Sequence, residues 1–418
     1  MATRILDDRG HVGHDNPTWR LQTGPALGGR LTDAVLLRTS AMSELHVDPE
    51  LRRARVGAGV LWGDLADSAG LVGLAGLHPS SPDVGVTGYP LGSGIGWYAR
   101  AYGLQCSAVT AVEIVLADGS FVRATSDVEP ELFWALRGGG APLGVVTALE
   151  FDLIPVDSTV AGYLAWDASA APRVLPAWVA WCREAPDEVT TSFRLLQMPP
   201  GPHIPRELHH RALVMVDGAV LVDDARAAEV LAPLRALRPE FDTMTRVSAA
   251  SLARLHLEPE GPTPTYASSS LISDLPGDAI DAVIGAAGPG SGTELAIIEL
   301  RQLGGALSRH DPDGGALAGL DGGFLALGLG FDEDPAAWPR QRTDASRMLD
   351  SLAPWVTGRR YLSMLDDRTD TRKAFPPGVH ARLSAVRTPS TPAGCSSSRT
   401  GPRRRGRYAA ARSKNAAR

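Results

Sequence analysis

Residues 80–106 read SSPDVGVTGYPLGSGIGWYARAYGLQC. The stretch holds six glycines, one acid and one arginine, and it ends on the only cysteine of the first 150 residues. Backbone this bare has no apolar stripe for an amphipathic helix. With two glycines and a proline, its VGVTGYP portion is a poor central strand. Three uses remain open from the residues alone. Gly92-Ser93-Gly94-Ile95-Gly96 looks like a dinucleotide fingerprint, but its third glycine comes one residue early and no buried strand precedes it. A loop that lays successive N–H groups along a large planar, phosphate-bearing ligand uses glycine for close approach and positive φ. A connector with tight turns uses the same residues for shape alone.

The chain of 418 residues is long enough for two cores. Its 44% hydrophobic content is that of a globular protein, and no run of 18 uncharged apolar residues marks a membrane span. The first 30 residues lack the pattern of a secretory signal. Cys106, Cys182 and Cys395 are too few and too scattered for a disulfide framework, so the cytoplasm is the expected compartment. Net charge is −6, although residues 388–418 carry eight positive side chains and no acid. The acidic remainder argues against nucleic acid as a partner.

Turn chemistry divides the first 155 residues clearly. RARVGA (53–58) reads as a strand, and VLWGDLADSAG as a helix stopped by Gly70. VTAVEIVLADGSFVRAT is a hairpin turning on Asp118-Gly119. PELFWAL is a short helix running into three glycines, and VVTALEFDLIP is a strand closed by Pro155. Beyond it, strand-like runs (YLAW, TTSFRLLQM, ALVMVDGAVL, ELAIIELRQLGG, FLALGLGF) alternate with helical ones at 173–183, 223–236 and 336–353. From Thr388 large apolar residues nearly vanish, and disorder is expected.

Six blocks occur in order: VLLRTSAM (35–42), VDPELRRARVGAGVLWGDL (47–65), GVTGYPLGSGIGWYARAYGLQC (85–106), VEIVLADG (112–119), PELFWALRGGG (130–140) and GVVTALEFDLIPV (144–156). Together they resemble the FAD-binding domain of the vanillyl-alcohol oxidase and p-cresol methylhydroxylase superfamily, with berberine-bridge-enzyme-like oxidases the nearest in look. The resemblance implies an α+β, two-lobed fold: a p-cresol methylhydroxylase-type FAD-binding domain (1–155 and 359–387) with a second, antiparallel-sheet substrate domain (156–358). It implies FAD contacts from Gly85, Val86, Thr87, Gly88, Gly92, Ser93, Gly94 and Gly96, and from Val145 and Val146 toward the adenine end. It places Cys106 where many members bond covalently to the flavin, a thiolate being a strong, soft nucleophile. The implied activity is oxidation of an alcohol, sugar or secondary metabolite, with dioxygen as acceptor. Tyr361 is the first candidate for the base or its partner, and Tyr98 the second. Pocket-wall aromatics are the plainer use of both.

The sequence also departs from that pattern. Only 34 residues precede Val35, and LQTGPALGG (21–29) lacks the histidine expected after Thr-Gly, with His14 the nearest substitute against a solvated tail histidine. Near the C-terminus Tyr361-Leu362 is followed by Ser363 where asparagine is usual. These departures leave a second possibility, a degenerate member with no or non-catalytic FAD binding. His209-His210 has no zinc-ligand spacing around it, and DPDGG and DEDP are turns, so no metal is expected. STPAGCSSSRT (390–400) can be encoded so that a one-base shift reads V-D-P-G-R-L-F-L-V-P-N, the superfamily-like ending. The tail from 388 is therefore expected to be out of frame. Sequencing the gene should reveal that shift, and a coding sequence that no single-base change converts to this ending refutes it.

Overall fold

The computed structural model describes residues 37–390, apart from 141–142, 202–203, 259–264, 312, 332–336 and 367–369. His14, Cys395 and the tail beyond 390 lie outside the described residues.

The first sheet has five antiparallel strands: β1 (Leu45–Asp48), β2 (Arg53–Gly57), β3 (Val109–Val115), β4 (Phe121–Ala124) and β5 (Val145–Asp152), in the order β1-β2-β5-β3-β4. Alternation sets the faces, as expected where one side of an antiparallel sheet is solvated. Ala54 and Val56 of β2 are buried. Arg53 and Arg55 face outward and pair with Asp152 at 3.1 Å and Glu113 at 2.9 Å. The β3–β4 hairpin forms at Asp118-Gly119, where Gly119 takes φ +85° and Ser120 N–H donates to Asp118 Oδ1 at 2.9 Å. Helix Trp62–Gly70 buries Trp62, Leu65, Ala66 and Ala69 and ends at its glycine.

The second sheet has eight strands: β6 (Ser158–Asp167), β7 (Val189–Gln197), β8 (Ala212–Val220), β9 (Phe241–Asp242), β10 (Thr245–Ser248), β11 (Thr265–Ile272), β12 (Ile297–Gln302) and β13 (Phe324–Phe331). The order is β10-β6-β8-β7-β12-β13-β11, with β9 beside β6, and every pairing is antiparallel. The sequence reading names no strand at β11, whose centre is three serines. Helices Ala171–Glu184, Asp224–Arg235, Gly277–Ala287 and Trp338–Ser351 bury apolar residues against one face, around Trp178, Phe193, Leu231, Val283, Leu300 and Met348. The other face meets the first lobe.

The chain then returns. Tyr361, Ala374, Phe375 and Leu383 join the core built on the first sheet, together with Leu303, Leu317 and Leu325 from the second lobe. The core of the first lobe therefore draws on both stretches of chain. Helix Val379–Ser390 carries the chain past the expected boundary at 388. Buried Leu383 and an Arg382–Glu131 pair at 2.6 Å anchor it, and a helix once nucleated extends one residue at a time.

Arg100 ties the two lobes. Its buried guanidinium donates to the carbonyls of Val189 (2.7 Å), Leu303, Ala185 (3.2 Å) and Pro186 (3.4 Å), all in the second lobe. Arg100→Ala should lower unfolding stability by about 3 kcal/mol, because it strands buried carbonyls across a lobe seam. Urea denaturation read against the unaltered chain checks this.

Candidate active site between the lobes

The glycine segment lies on the edge of the first lobe. Gly85 bridges to Leu61, and Val86 N–H donates to Val60 O at 2.9 Å. Thr87 precedes a single helical turn, Gly88–Leu91. The chain then doubles back: Cys106 N–H donates to Ser93 O at 2.9 Å and Gln105 N–H to Gly94 O at 3.0 Å. The glycine-rich end of helix Pro130–Leu136 docks here too, with Gly138 N–H on Pro90 O (3.0 Å) and Gly140 N–H on Leu91 O (2.9 Å). The C-terminal return completes the cluster, since Ser363 Oγ donates to Gly92 O at 2.7 Å. Gly92–Gly96, Cys106, Gly138–Gly140 and Tyr361–Ser363 are thus one neighbourhood.

Part of the glycine content answers to internal packing. A Cβ at Gly96 would sit 2.0 Å from His78 O, and one at Gly94 would sit 2.6 Å from the Tyr89 ring. Packing does not satisfy every polar atom, however. Among the described residues, Thr87 Oγ1, Tyr89 OH, Gln105 Nε2 and Arg137 Nε are buried without a partner. Buried polar atoms are normally paired, so these four ask for a ligand with both donors and acceptors.

The expected site residues divide as follows. Cys106 is fully buried, and its Sγ–H donates to Leu317 O at 3.2 Å. Burial pushes the thiol up to about 12, with Arg137 opposing. Tyr361 is buried with its hydroxyl 3.2 Å from Ser93 Oγ. Burial pushes this phenol up to about 12, and hydrogen bonds from Ser93 and Ser363 oppose the rise. Tyr98 is buried on the seam beside Ala161 and Ala219, its hydroxyl unpartnered among the described residues and its ring 5.3 Å from His78. Val146 is in the same core as Cys106, whereas Val145 is 37% exposed where β5 begins.

A second wall was not singled out in the sequence. On the sheet face toward the glycine segment, cross-strand register aligns Ser192 with Asp217 and Arg301, and Arg194 with Met215 and Glu299. Ser192 Oγ and Arg301 Nε both donate to Glu299 Oε1 at 2.7 Å. Arg194 pairs with Asp217 and donates to His256 O at 3.4 Å. The ring of Trp97, from the glycine segment, stands perpendicular to His256 at 4.7 Å and lies 5.9 Å from the Arg301 guanidinium. Glu258 Oε1 lies 3.2 Å from His256 Nδ1. If Nδ1 carries the proton, Nε2 is left as an acceptor.

Arg194 Nε, Asp217 Oδ1, His256 Nε2 and Trp97 Nε1 are all buried and without a hydrogen-bond partner among the described residues, His256 Nε2 lying 3.7 Å from Asp217 Oδ2. Burial pushes Asp217 up to about 6, with Arg194 opposing and Glu299 adding to the rise. Burial also raises Glu299, but the charge and hydrogen bond of Arg301 outweigh it and leave that carboxyl low. Burial, then the charges of Arg194 and Arg301, hold His256 neutral. The sequence signal for this wall is a polar residue at alternate positions of apolar strands: Ser192 and Arg194 in VTTSFRLLQ, and Glu299 and Arg301 in IIELRQ.

Residues 22–125 match the family described as FAD binding domain. The fold superposes on 6-hydroxy-D-nicotine oxidase from Arthrobacter nicotinovorans with a TM-score of 0.73 at 24% identity, covering 86% of this chain and 80% of that one. The berberine bridge enzyme from Eschscholzia californica gives 0.73 at 18% identity, covering 86% and 79%. The chain thus has the fold of these two enzymes, and its residues 22–125 are similar to an FAD-binding domain. Its cofactor is FAD, and the unpartnered donors and acceptors around the glycine segment fit such a group. In sequence, the chain is 36% identical over 138 residues to (R)-6-hydroxynicotine oxidase of Paenarthrobacter nicotinovorans, 33% of this chain and 30% of that protein. It is 33% identical over 150 residues to xylooligosaccharide oxidase of Thermothelomyces thermophilus, 35% and 30%. These matches span about a third of the relatives' own length. No helix among the described residues is long and apolar enough to cross a membrane.

The raised Asp217 carboxyl has a definite linkage sign. The fold favours its protonated form, so the stability it contributes is full below the ordinary value of 3.8 and is lost as pH rises through about 6. Asp217→Asn should lack that decline. Urea midpoints of the two proteins at pH values on either side of this window check it.

Proposed function

We propose that the chain is an FAD-dependent oxidase that removes hydride from a carbon bearing a hydroxyl or an amine, the substrate lying between the glycine segment and the charged sheet face. The observation that carries this reading is the convergence of four buried, unpartnered atoms at the lobe seam. Arg194 Nε and Trp97 Nε1 are donors, whereas Asp217 Oδ1 and His256 Nε2 can accept. Such a mixed set suits a hydroxyl or amine, which both donates and accepts. A cavity of about 250 Å³ is lined by Tyr163, opposite Asp217 in the strand register, and by Leu255 and Leu257, which flank His256 in the chain. The relatives named for oxidising 6-hydroxynicotine and xylooligosaccharides act on small molecules of this kind.

In this reading Gly85, Val86, Thr87, Gly88, Gly92, Ser93, Gly94 and Gly96 hold the cofactor through their backbone, with Val145 and Val146 toward its adenine end. When bound, FAD supplies the hydride acceptor, and dioxygen takes the electrons onward to give hydrogen peroxide. Tyr361, in its minor phenolate form, which grows as pH rises, takes the substrate proton, and Tyr98 is the alternative. Closure of the seam around Trp97 excludes water, which strengthens each polar contact inside. Covalent attachment at Cys106 requires its thiol to give up Leu317 O and ionise.

Ser363, standing where asparagine is usual, favours the second reading, a degenerate relative that no longer holds FAD or holds it without turnover. Colour separates the two. A yellow purified protein with the two flavin absorption bands, bleached anaerobically by a substrate, supports the oxidase. A protein that stays colourless after FAD is added, or a yellow one that no substrate bleaches, supports the degenerate form. Yellow that survives denaturation and travels with the Cys106 peptide in mass spectrometry establishes the covalent bond. In the oxidase, Arg194→Ala should lower kcat/KM by roughly 100-fold while leaving the flavin spectrum in place, because it removes a buried donor and strands Asp217.

A further inference from the structure

We propose that Ser93 is a positioning residue that aims the Tyr361 hydroxyl. Its catalytic consequence rests on the reading of Tyr361 as the proton acceptor. Ser93 takes φ +97°, a backbone conformation that favours glycine. Its neighbours Gly92 and Gly94 are glycines, and a glycine at 93 would hold the same turn without strain. A serine kept in this conformation points to a use for its side chain.

That side chain is fully buried, and its Oγ lies 3.2 Å from Tyr361 OH, the partner being 268 positions along the chain. The backbone fixes its direction from both sides: Ser93 N–H donates to Pro90 O at 3.0 Å, and Ser93 O accepts from Cys106 N–H at 2.9 Å. Ser93 Oγ also reaches Gly92 O, which accepts from Ser363 Oγ as well. Both serines hydrogen-bond Tyr361. A hydroxyl can donate or accept. While Tyr361 is neutral, Ser93 can give its proton to Gly92 O and accept from the phenol. Once Tyr361 has lost its proton, Ser93 can turn its own proton onto the phenolate. The other groups that act on Tyr361 are Arg301 from β12, which favours the phenolate, and the Cys106 thiol, which disfavours it; buried Tyr89 is the neighbouring phenol.

The test uses the full chain carrying 3-fluorotyrosine, with the Tyr361 resonance assigned by its loss in Tyr361→Phe. Ser93→Ala keeps the backbone strain and loses the hydroxyl. Ser93→Gly loses both. Both should move the fluorine resonance of Tyr361 and raise its titration midpoint by about one pH unit. Ser93→Gly should melt at a higher temperature than Ser93→Ala. With (R)-6-hydroxynicotine as the probe, both should slow anaerobic flavin bleaching by roughly tenfold, with the limb of the pH profile moved to higher pH. A Tyr361 resonance and midpoint unchanged in both variants overturn the proposal, and Ser93→Ala decides alone if Ser93→Gly does not fold. A moved resonance together with a fully active Tyr361→Phe upholds the positioning and overturns the reading of Tyr361 as the base. If the unaltered protein leaves this probe unoxidised, that counts against the oxidase reading, and the resonance still decides the role of Ser93.

Discussion

Four charges buried on one face of a β-sheet govern the rest of this molecule. Arg194, Asp217, Glu299 and Arg301 stand on three adjacent strands, and each is held by at least one of the others. Charges removed from water are tolerable only when paired and hydrogen-bonded. The face that carries them therefore cannot take a layer of helices as the opposite face does. It has to meet something polar, and it meets Trp97 and the glycine segment. The two-lobed form follows from this asymmetry: four helices on the apolar face, the other lobe on the charged one.

The seam is held by contacts that span long stretches of chain. Arg100 reaches four carbonyls of the second lobe, and Ser363 and Tyr361 return from the far end to Gly92 and Ser93. Such contacts close large loops, and each constrains the geometry of the site more than any neighbour in sequence does. Burial at the seam also shapes the chemistry. It keeps the Cys106 thiol and the Tyr361 phenol protonated at neutral pH, and it keeps His256 uncharged. Hydrogen bonds to Tyr361 and the charge of Arg301 act the other way on the phenol.

Several features were legible in the sequence because adjacent residues settle them. Asp118-Gly119 makes its hairpin through one glycine φ and one side-chain bond. The helix at 62–70 ends where Gly70 stands. The ordered blocks from Val35 to Val156 carry the resemblance to FAD-binding domains, and the match over residues 22–125 falls largely within them. The charged sheet face was not read, because Glu299 and Arg301 separated by one leucine look like a solvated edge until the strands on both sides are known. Strand β11 carries no such signal, because its serines lack the apolar alternation that marks a half-buried strand.

The amino-acid order alone determined where the turns fall, which segment is bare backbone and which cysteine follows it. These depend on φ preferences and side-chain volume, properties each residue carries with it. Tertiary structure alone decided that Ser93 faces Tyr361, that Asp217 faces Arg194, and that the glycine segment is covered by a charged wall. Burial, pairing and protonation belong to the pair of surfaces that meet, and neither surface exists until distant strands have taken their register.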